Sequence, residues 1–191
     1  MARNLQQPRM QRGALMIEVL ITLVITVVGL WGMAAVQSRL QLAEVESYQR
    51  AQALILLDDM SSRMATNRTA AASYAIAADR PLGVGASCPS TTATRQQRDF
   101  AEWCDALQGA AETAGTGNSR VGALIGGRGC VENLAGARFM VTVAWQGMTP
   151  VSAPPASVAC GKDRYDGAPG TPCQGDLCRR AITTIIGVAA L

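Results

Sequence analysis

The residues of this chain with the most chemical capacity are six cysteines, one glutamate inside an apolar run, and three aspartates near the C-terminal end. The cysteines are Cys88, Cys104, Cys130, Cys160, Cys173 and Cys178, and all lie beyond the apolar run. An even count in a region that reads as exported is the pattern of a disulfide framework. Zinc is the rival chemistry, but the chain has no histidine and no C-x-x-C pair, Cys173 and Cys178 being C-x4-C. Disulfides are therefore expected, with the pairing left open, no metal site and no cofactor.

The missing histidine also rules out Ser-His-Asp and Cys-His sites. Asp163, Asp166 and Asp176 have acid chemistry suited to a cation, yet Asp163-x-x-Asp166 lacks the spacing and neighbours of a calcium loop. They read as solvated loop charges. Gly126-Gly127-Arg128-Gly129 fits neither G-x-G-x-x-G nor the Walker pattern and lacks the lysine of a phosphate loop. It reads as a turn before a strand. Asn67-Arg68-Thr69 matches a glycosylation sequon but falls at an expected helix end, and is read as coincidence. No catalytic constellation emerges, and the chain is not expected to be an enzyme.

Glu18 is the chemically odd residue. It sits at the start of a segment that carries no charged residue from Val19 to Ser38. An acidic side chain in the centre of a membrane helix costs roughly 2.5–3.5 kcal/mol on an insertion scale, and less near the interface. Glu18 is thus either close enough to headgroups to stay solvated, or it needs a cationic partner in an assembly. A cut after Gly13 would make Ala14 the new N-terminus and supply such a cation. Within one chain that amine and Glu18 would be about 6 Å apart along a helix axis. A staggered neighbour would bring its own amine to Glu18 and so set the register between subunits.

These groups need an element to hold them. The run from Val19 to Val36 is almost wholly apolar and about long enough to cross a hydrocarbon core as a helix. Arg3, Arg9 and Arg12 precede it, which leaves the N-terminus cytoplasmic and sends the rest across, where cysteines can oxidise. A secretory signal peptide would have a shorter core followed by a small-x-small cleavage site. The chain is 49% hydrophobic but only 4% aromatic, which fits an anchor as well as a core. Its formal charge of +3 lies in those three arginines, so a chain cut after Gly13 would have equal numbers of basic and acidic side chains. That balance gives nucleic-acid binding little support.

A helical pattern continues past the apolar run. Ala53, Leu57, Met60 and Met64 recur on one helix face, with Glu44, Glu46, Arg50, Asp58, Asp59 and Arg63 among them as the polar side. A helix from residue 15 to residue 66 would be about 78 Å long. Gly29 and Gly32 are its weak points, each costing about 1 kcal/mol relative to Ala. They mark either close packing against another helix or a place where the helix can loosen.

The stretch Arg12-Gly13-Ala14-Leu15-Met16-Ile17-Glu18-Val19-Leu20 resembles the class III signal of type IV prepilins and type II secretion pseudopilins. The resemblance implies a prepilin peptidase that cuts between Gly13 and Ala14 and methylates the Ala14 amine, with Glu18 used in filament assembly. It also makes Gly29 and Gly32 the place where the helix loosens on entering a filament. Ala14 departs from the usual Phe or Met, and Ala35 stands near the place of the proline that often kinks major pilins. Gly29-Leu30-Trp31-Gly32-Met33-Ala34, Tyr48-Gln49-Arg50-Ala51-Gln52-Ala53 and Asp59-Met60-Ser61-Ser62-Arg63-Met64 are similar to minor pilins of the PilV type, the type IV pilus modification proteins. The similarity covers roughly residues 12 to 74 and is looser beyond, resting on Asp99 to Leu107 with Trp103 and on the strand ending at Trp145. It implies a low-abundance subunit of a priming or tip complex, with effects on adhesion and twitching motility. Its partners would be the prepilin peptidase, other minor pilins, the major pilin and, before assembly, the inner membrane. A type II secretion pseudopilin and a signal-anchored periplasmic protein that never polymerises are the alternatives.

The rest reads as one exported domain. Residues 69 to 98 form a connecting loop with Pro81, Gly83, Gly85 and Pro89 as breakers. Asp99 to Ala111 has short helical character, and the stretch from Gly115 to Gly129 is glycine-rich. Phe139, Val141, Val143 and Trp145 alternate as a half-buried strand, and Ile182, Thr184, Ile186 and Val188 suggest another. The 11-residue apolar tail after Arg180 is too short to span a membrane. Between the strands runs a proline-rich segment that Cys160, Cys173 and Cys178 could staple. The predicted architecture is α+β, a long helix packed on a small antiparallel sheet, as in pilins. It divides into a leader over 1–13, a transmembrane half-helix over 14–37, a periplasmic half-helix over 38–68 and a globular domain over 69–191.

Overall fold

The computed structural model describes residues 12–110, 113–114, 119–120 and 124–189, with side chains of the first helix described from Met16 onward. The expected leader as far as residue 11 lies outside the described residues, as does most of the glycine-rich stretch before Leu124, and Ala111 with it. The chain forms two units, Met1–Glu44 and Val45–Leu191.

Helix α1, Arg12–Thr66, begins in the first unit and ends in the second. From Val19 to Val36 it is apolar on all sides, and every side chain from Met16 to Glu44 is exposed. Trp31 is 81% exposed, so among the described residues nothing covers even the largest apolar group there. The hydroxyls of Thr22 and Thr26 donate back to the carbonyls of Val19 and Thr22 at 2.9 and 2.7 Å. Their protons are satisfied inside the helix, as an apolar surrounding requires. By length and composition this helix can cross a membrane.

In the second unit the same helix turns amphipathic. Ala53, Leu57, Met60 and Met64 are buried in a core shared with Trp103, Leu107, Val131, Phe139, Val141, Val143 and Trp145. Burying a side chain of the Leu or Met class stabilises by about 1.5–3 kcal/mol. The helix stops at Thr66 because Asn67 leaves helical geometry, with φ −119° and ψ 51°. Its side-chain amide instead donates to the Tyr74 hydroxyl at 2.9 Å. The sequon asparagine is thus a helix-end fastener.

The segment expected as loop over 69 to 98 is more structured than that. It starts as a 3-10 helix, Arg68–Tyr74, bridges Ile76 to Val131, and supplies the short strand β1, Leu82–Gly83. Helix α2 runs Arg95–Leu107, starting before the expected Asp99. The cause is a reciprocal cap: the Thr94 hydroxyl accepts from the Gln97 N–H while the Gln97 side chain accepts from the Thr94 N–H, both at 3.2 Å.

Two short strands, β2 at Thr113–Ala114 and β3 at Ser119–Arg120, pair with each other. The main sheet adds β4 (Arg128–Leu134), β5 (Arg138–Gln146) and β6 (Arg179–Gly187) to β1, in the antiparallel order β1-β4-β5-β6. Phe139, Val141, Val143 and Trp145 fall in β5 as expected, and Ile182, Thr184 and Ile186 fall in β6, with Val188 one residue past its end. The strand expected after the turn at Gly126-Gly127-Arg128-Gly129 is β4, which starts within that motif at Arg128 and carries Gly129 and Asn133, residues poor in β propensity. Gly129 is needed there, because an added Cβ would stand 2.1 Å from the Trp103 ring. Trp103 packs close against that bare backbone and donates its ring N–H to the Leu56 carbonyl at 2.9 Å.

The half-buried expectation for β5 needs correction. Thr142 and Ala144, on the face away from the core cluster, are fully buried as well. The proline-rich segment between β5 and β6 folds back as a strap over that face. Cys160 lies beside the Thr142 carbonyl, and a Cβ added at Gly161 would stand 3.3 Å from Ala144. A period of two reveals which face of a strand is apolar, but not whether a distant segment returns to cover the other.

Candidate assembly surface

The residues that the sequence singled out for assembly all lie on the first unit's helix. Gly13 and Ala14 lie in its first turns and are described as backbone only. Glu18 is exposed and has no ion pair among the described residues. Around it, Met16, Ile17, Val19, Leu20 and Ile21 are each more than half exposed. Gly29 and Gly32 are continuous helix, and a Cβ at either would meet nothing within 4 Å. With Met33 and Val36 they line a shallow apolar notch. No group of this chain packs into it among the described residues, so close packing at these glycines would need another molecule. The chemistry here is recognition: a large apolar surface with one anion near its start.

The second unit fixes how its part of α1 is held. Arg63 donates to Asp59, Asp99 and Glu102 at 2.9, 3.1 and 2.6 Å, joining the end of α1 to α2. Burial works against the Arg63 charge, but the bonds to Glu102, Asp59 and Asp99 outweigh it and raise its pKa. Asp99 also accepts from the Tyr74 hydroxyl. Burial, together with that bond, pushes the Tyr74 phenol up to about 12. Further along the helix, Glu46 accepts from Arg180 at 3.0 Å and from the Met148 N–H at 3.1 Å, tying the start of the strap and β6 to the helix. The i,i+4 spacing of Asp59 and Arg63 was legible in the sequence, while the long-range members of both clusters were not.

The six cysteines form three disulfides, Cys88–Cys104, Cys130–Cys160 and Cys173–Cys178. The first pins the loop after β1 to α2, the second pins the strap to β4, and the third closes a short loop within the strap. The aspartates of the strap are not all solvated, which corrects the sequence reading. Asp176 is 5% exposed and pairs with the buried Arg179 at 3.1 Å. Asp176 also accepts the Asp163 N–H at 2.9 Å, while Asp166 accepts the Asp176 N–H at 2.8 Å. Arg179 further donates to the carbonyls of Val158 and Cys160 at 2.7 and 3.1 Å. The carboxylates of Asp166 and Asp176 therefore shape the strap through protein hydrogen bonds, while Asp163 joins through its backbone N–H and keeps an exposed side chain. Among the described residues no cluster of metal-ligand type forms.

No known protein family, curated protein or solved structure matches the chain.

Proposed function

We propose that this chain is a type IV pilin-like subunit of the minor, PilV type, processed after Gly13 and placed in a priming or tip complex that initiates pilus assembly. The observation that carries the reading is α1 itself. One helix is bare and apolar around Glu18 in the first unit, then amphipathic and capped by an α+β domain in the second. A simple anchor does not need a carboxylate in its first turns or an apolar surface that runs to Val45, 42% exposed, beyond a membrane-spanning length. A subunit that packs helix against helix uses both. The three disulfides fit a domain on the periplasmic side of an inner membrane.

In this reading the Glu18 carboxylate accepts the amine of a neighbouring Ala14, and the notch at Gly29 and Gly32 receives or loosens against adjacent helices. The test is intact-mass analysis of the membrane-extracted protein with and without reduction, from cells with and without prepilin peptidase. Loss of the first thirteen residues, addition of a methyl group and three disulfides are expected. An unshifted mass in peptidase-containing cells would sink the proposal. Glu18→Ala should abolish assembly, and unchanged function would favour an anchor that never polymerises. Loss of secretion with piliation intact on deletion would favour a type II secretion pseudopilin.

A further inference from the structure

The second unit holds a concave pocket, about 390 Å³, at the edge of the sheet that β1 closes. Three arginines, Arg80, Arg128 and Arg164, line it, against one acid, Asp79. Asp79 reaches only Arg80, at 3.8 Å, and both are highly exposed, so that pair does little to neutralise the site. Arg128 and Arg164 have no ion pair among the described residues.

Arg128 is held in place without a carboxylate. Its guanidinium donates to the Gly126 carbonyl at 3.1 Å and lies 4.9 Å from the centre of the Tyr165 ring. Tyr165 is buried and is itself fixed by its hydroxyl, which donates to the same Gly126 carbonyl at 2.9 Å. On its other side the guanidinium faces Gly85, where an added Cβ would be 3.6 Å from Nη2.

The opposite wall is the loop after β1, and it is built rigidly. Val84 and Ala86 donate their N–H groups to the carbonyls of Gly127 and Gly83 at 2.8 and 3.1 Å. The Gln108 amide bridges the carbonyls of Gly83 and Ala86, at 3.0 Å each. The Cys88–Cys104 disulfide anchors the loop to α2. Glycine is required at position 83, where φ is +109° and a Cβ would meet the Gly127 carbonyl at 2.3 Å.

A planar guanidinium held by a carbonyl and a ring, with two exposed cationic arms at the rim, is the arrangement that takes a compact oxyanion through charge-assisted, bidentate hydrogen bonds. Structural arginines elsewhere in this unit, Arg63 and Arg179, meet buried carboxylates of the chain, whereas of the pocket's cations only Arg80 meets a carboxylate, the exposed Asp79. We propose that this pocket is a binding site for a small oxyanion, a phosphate or a carboxylate carried by an external ligand. Arg128 is the fixed contact, and Arg80 and Arg164 close over the anion.

The test is calorimetric titration of the detergent-solubilised full chain, at low ionic strength, with inorganic phosphate and separately with glucuronate. A single saturable site that weakens with added salt is expected. Arg128→Gln should weaken it by about tenfold, and the double variant Arg80→Gln/Arg164→Gln by about fivefold. The rim arginines are exposed, so the double variant should keep the wild-type thermal midpoint and decides the matter if Arg128→Gln fails to fold. Tighter phosphate binding assigns the site to phosphorylated ligands and tighter glucuronate binding to acidic sugars, either of which upholds it. No saturable binding of either anion, or wild-type affinity in the folded double variant, would overturn the proposal. None of these outcomes depends on processing at Gly13 or on Glu18, so the assembly reading stands or falls separately.

Discussion

Two stretches of one helix meet opposite fates in this molecule. From Met16 to Val36 the apolar side chains point to every side and none is buried. From Ala53 to Met64 the apolar groups are fewer, yet those at helical spacing are almost completely buried. The difference is not hydrophobicity, which is greater in the first stretch, but the presence of a covering partner within the chain. An apolar surface with no partner in its own chain must be met by lipid or by other molecules. A one-sided stripe is met by the domain's own sheet.

The sharpest way to break this comparison is to remove the first stretch. A chain beginning at Ser38 should lose all membrane partitioning in flotation assays yet unfold cooperatively, because the core draws on α1 only beyond Val45. Failure of that fragment to fold would mean the first stretch supports the domain after all. Next in size are single substitutions in the two stretches. Trp103→Ala should destabilise the domain by about 3–5 kcal/mol in urea unfolding. Trp31→Ala, at a site 81% exposed, should leave the same unfolding transition unchanged. Gly129→Ala, which sets a Cβ against the Trp103 ring, should cost about 1–3 kcal/mol through overpacking, whereas Gly29→Ala, with nothing within 4 Å, should not destabilise the helix.

The smallest effect concerns pH. The Tyr74 phenol has its pKa raised from 10.0 to about 12 in the folded chain. The folded state therefore keeps a proton that the unfolded chain loses in that interval. The Tyr74 contribution is fully present below pH 10 and declines as pH rises toward about 12. Chemical denaturation across that range should show the decline, and Tyr74→Phe should remove it. The first stretch of α1 has no tyrosine and should add nothing to this titration.

Both halves of α1 were legible in the sequence, for a physical reason. Apolar run length and helical period are local properties, and the chain adopts them wherever it lies. The expected helix end at residue 66 coincides with Thr66, because the apolar period stops at Met64 and the backbone turns away at Asn67. The candidate assembly residues were legible on the same grounds, as a carboxylate and two glycines stand out in an apolar helix. The starts of α2 and β4 were less so. The Thr94 and Gln97 cap is a local signal, whereas β4 sacrifices strand propensity at Gly129 to let Trp103 approach.

By itself, then, the sequence determined the long helix, the place where it changes from apolar to amphipathic, the two alternating strands and the even set of cysteines. Only the tertiary structure decided which cysteines pair, that the strap covers the second face of β5, and that Asp176 is buried against Arg179. It alone brought Arg80, Arg128 and Arg164 around one pocket, although they are far apart in the chain. Periodicity is written between neighbours a few residues apart and survives reading in one dimension. Pairing, covering and convergence join distant segments, and they exist only once the chain has closed on itself.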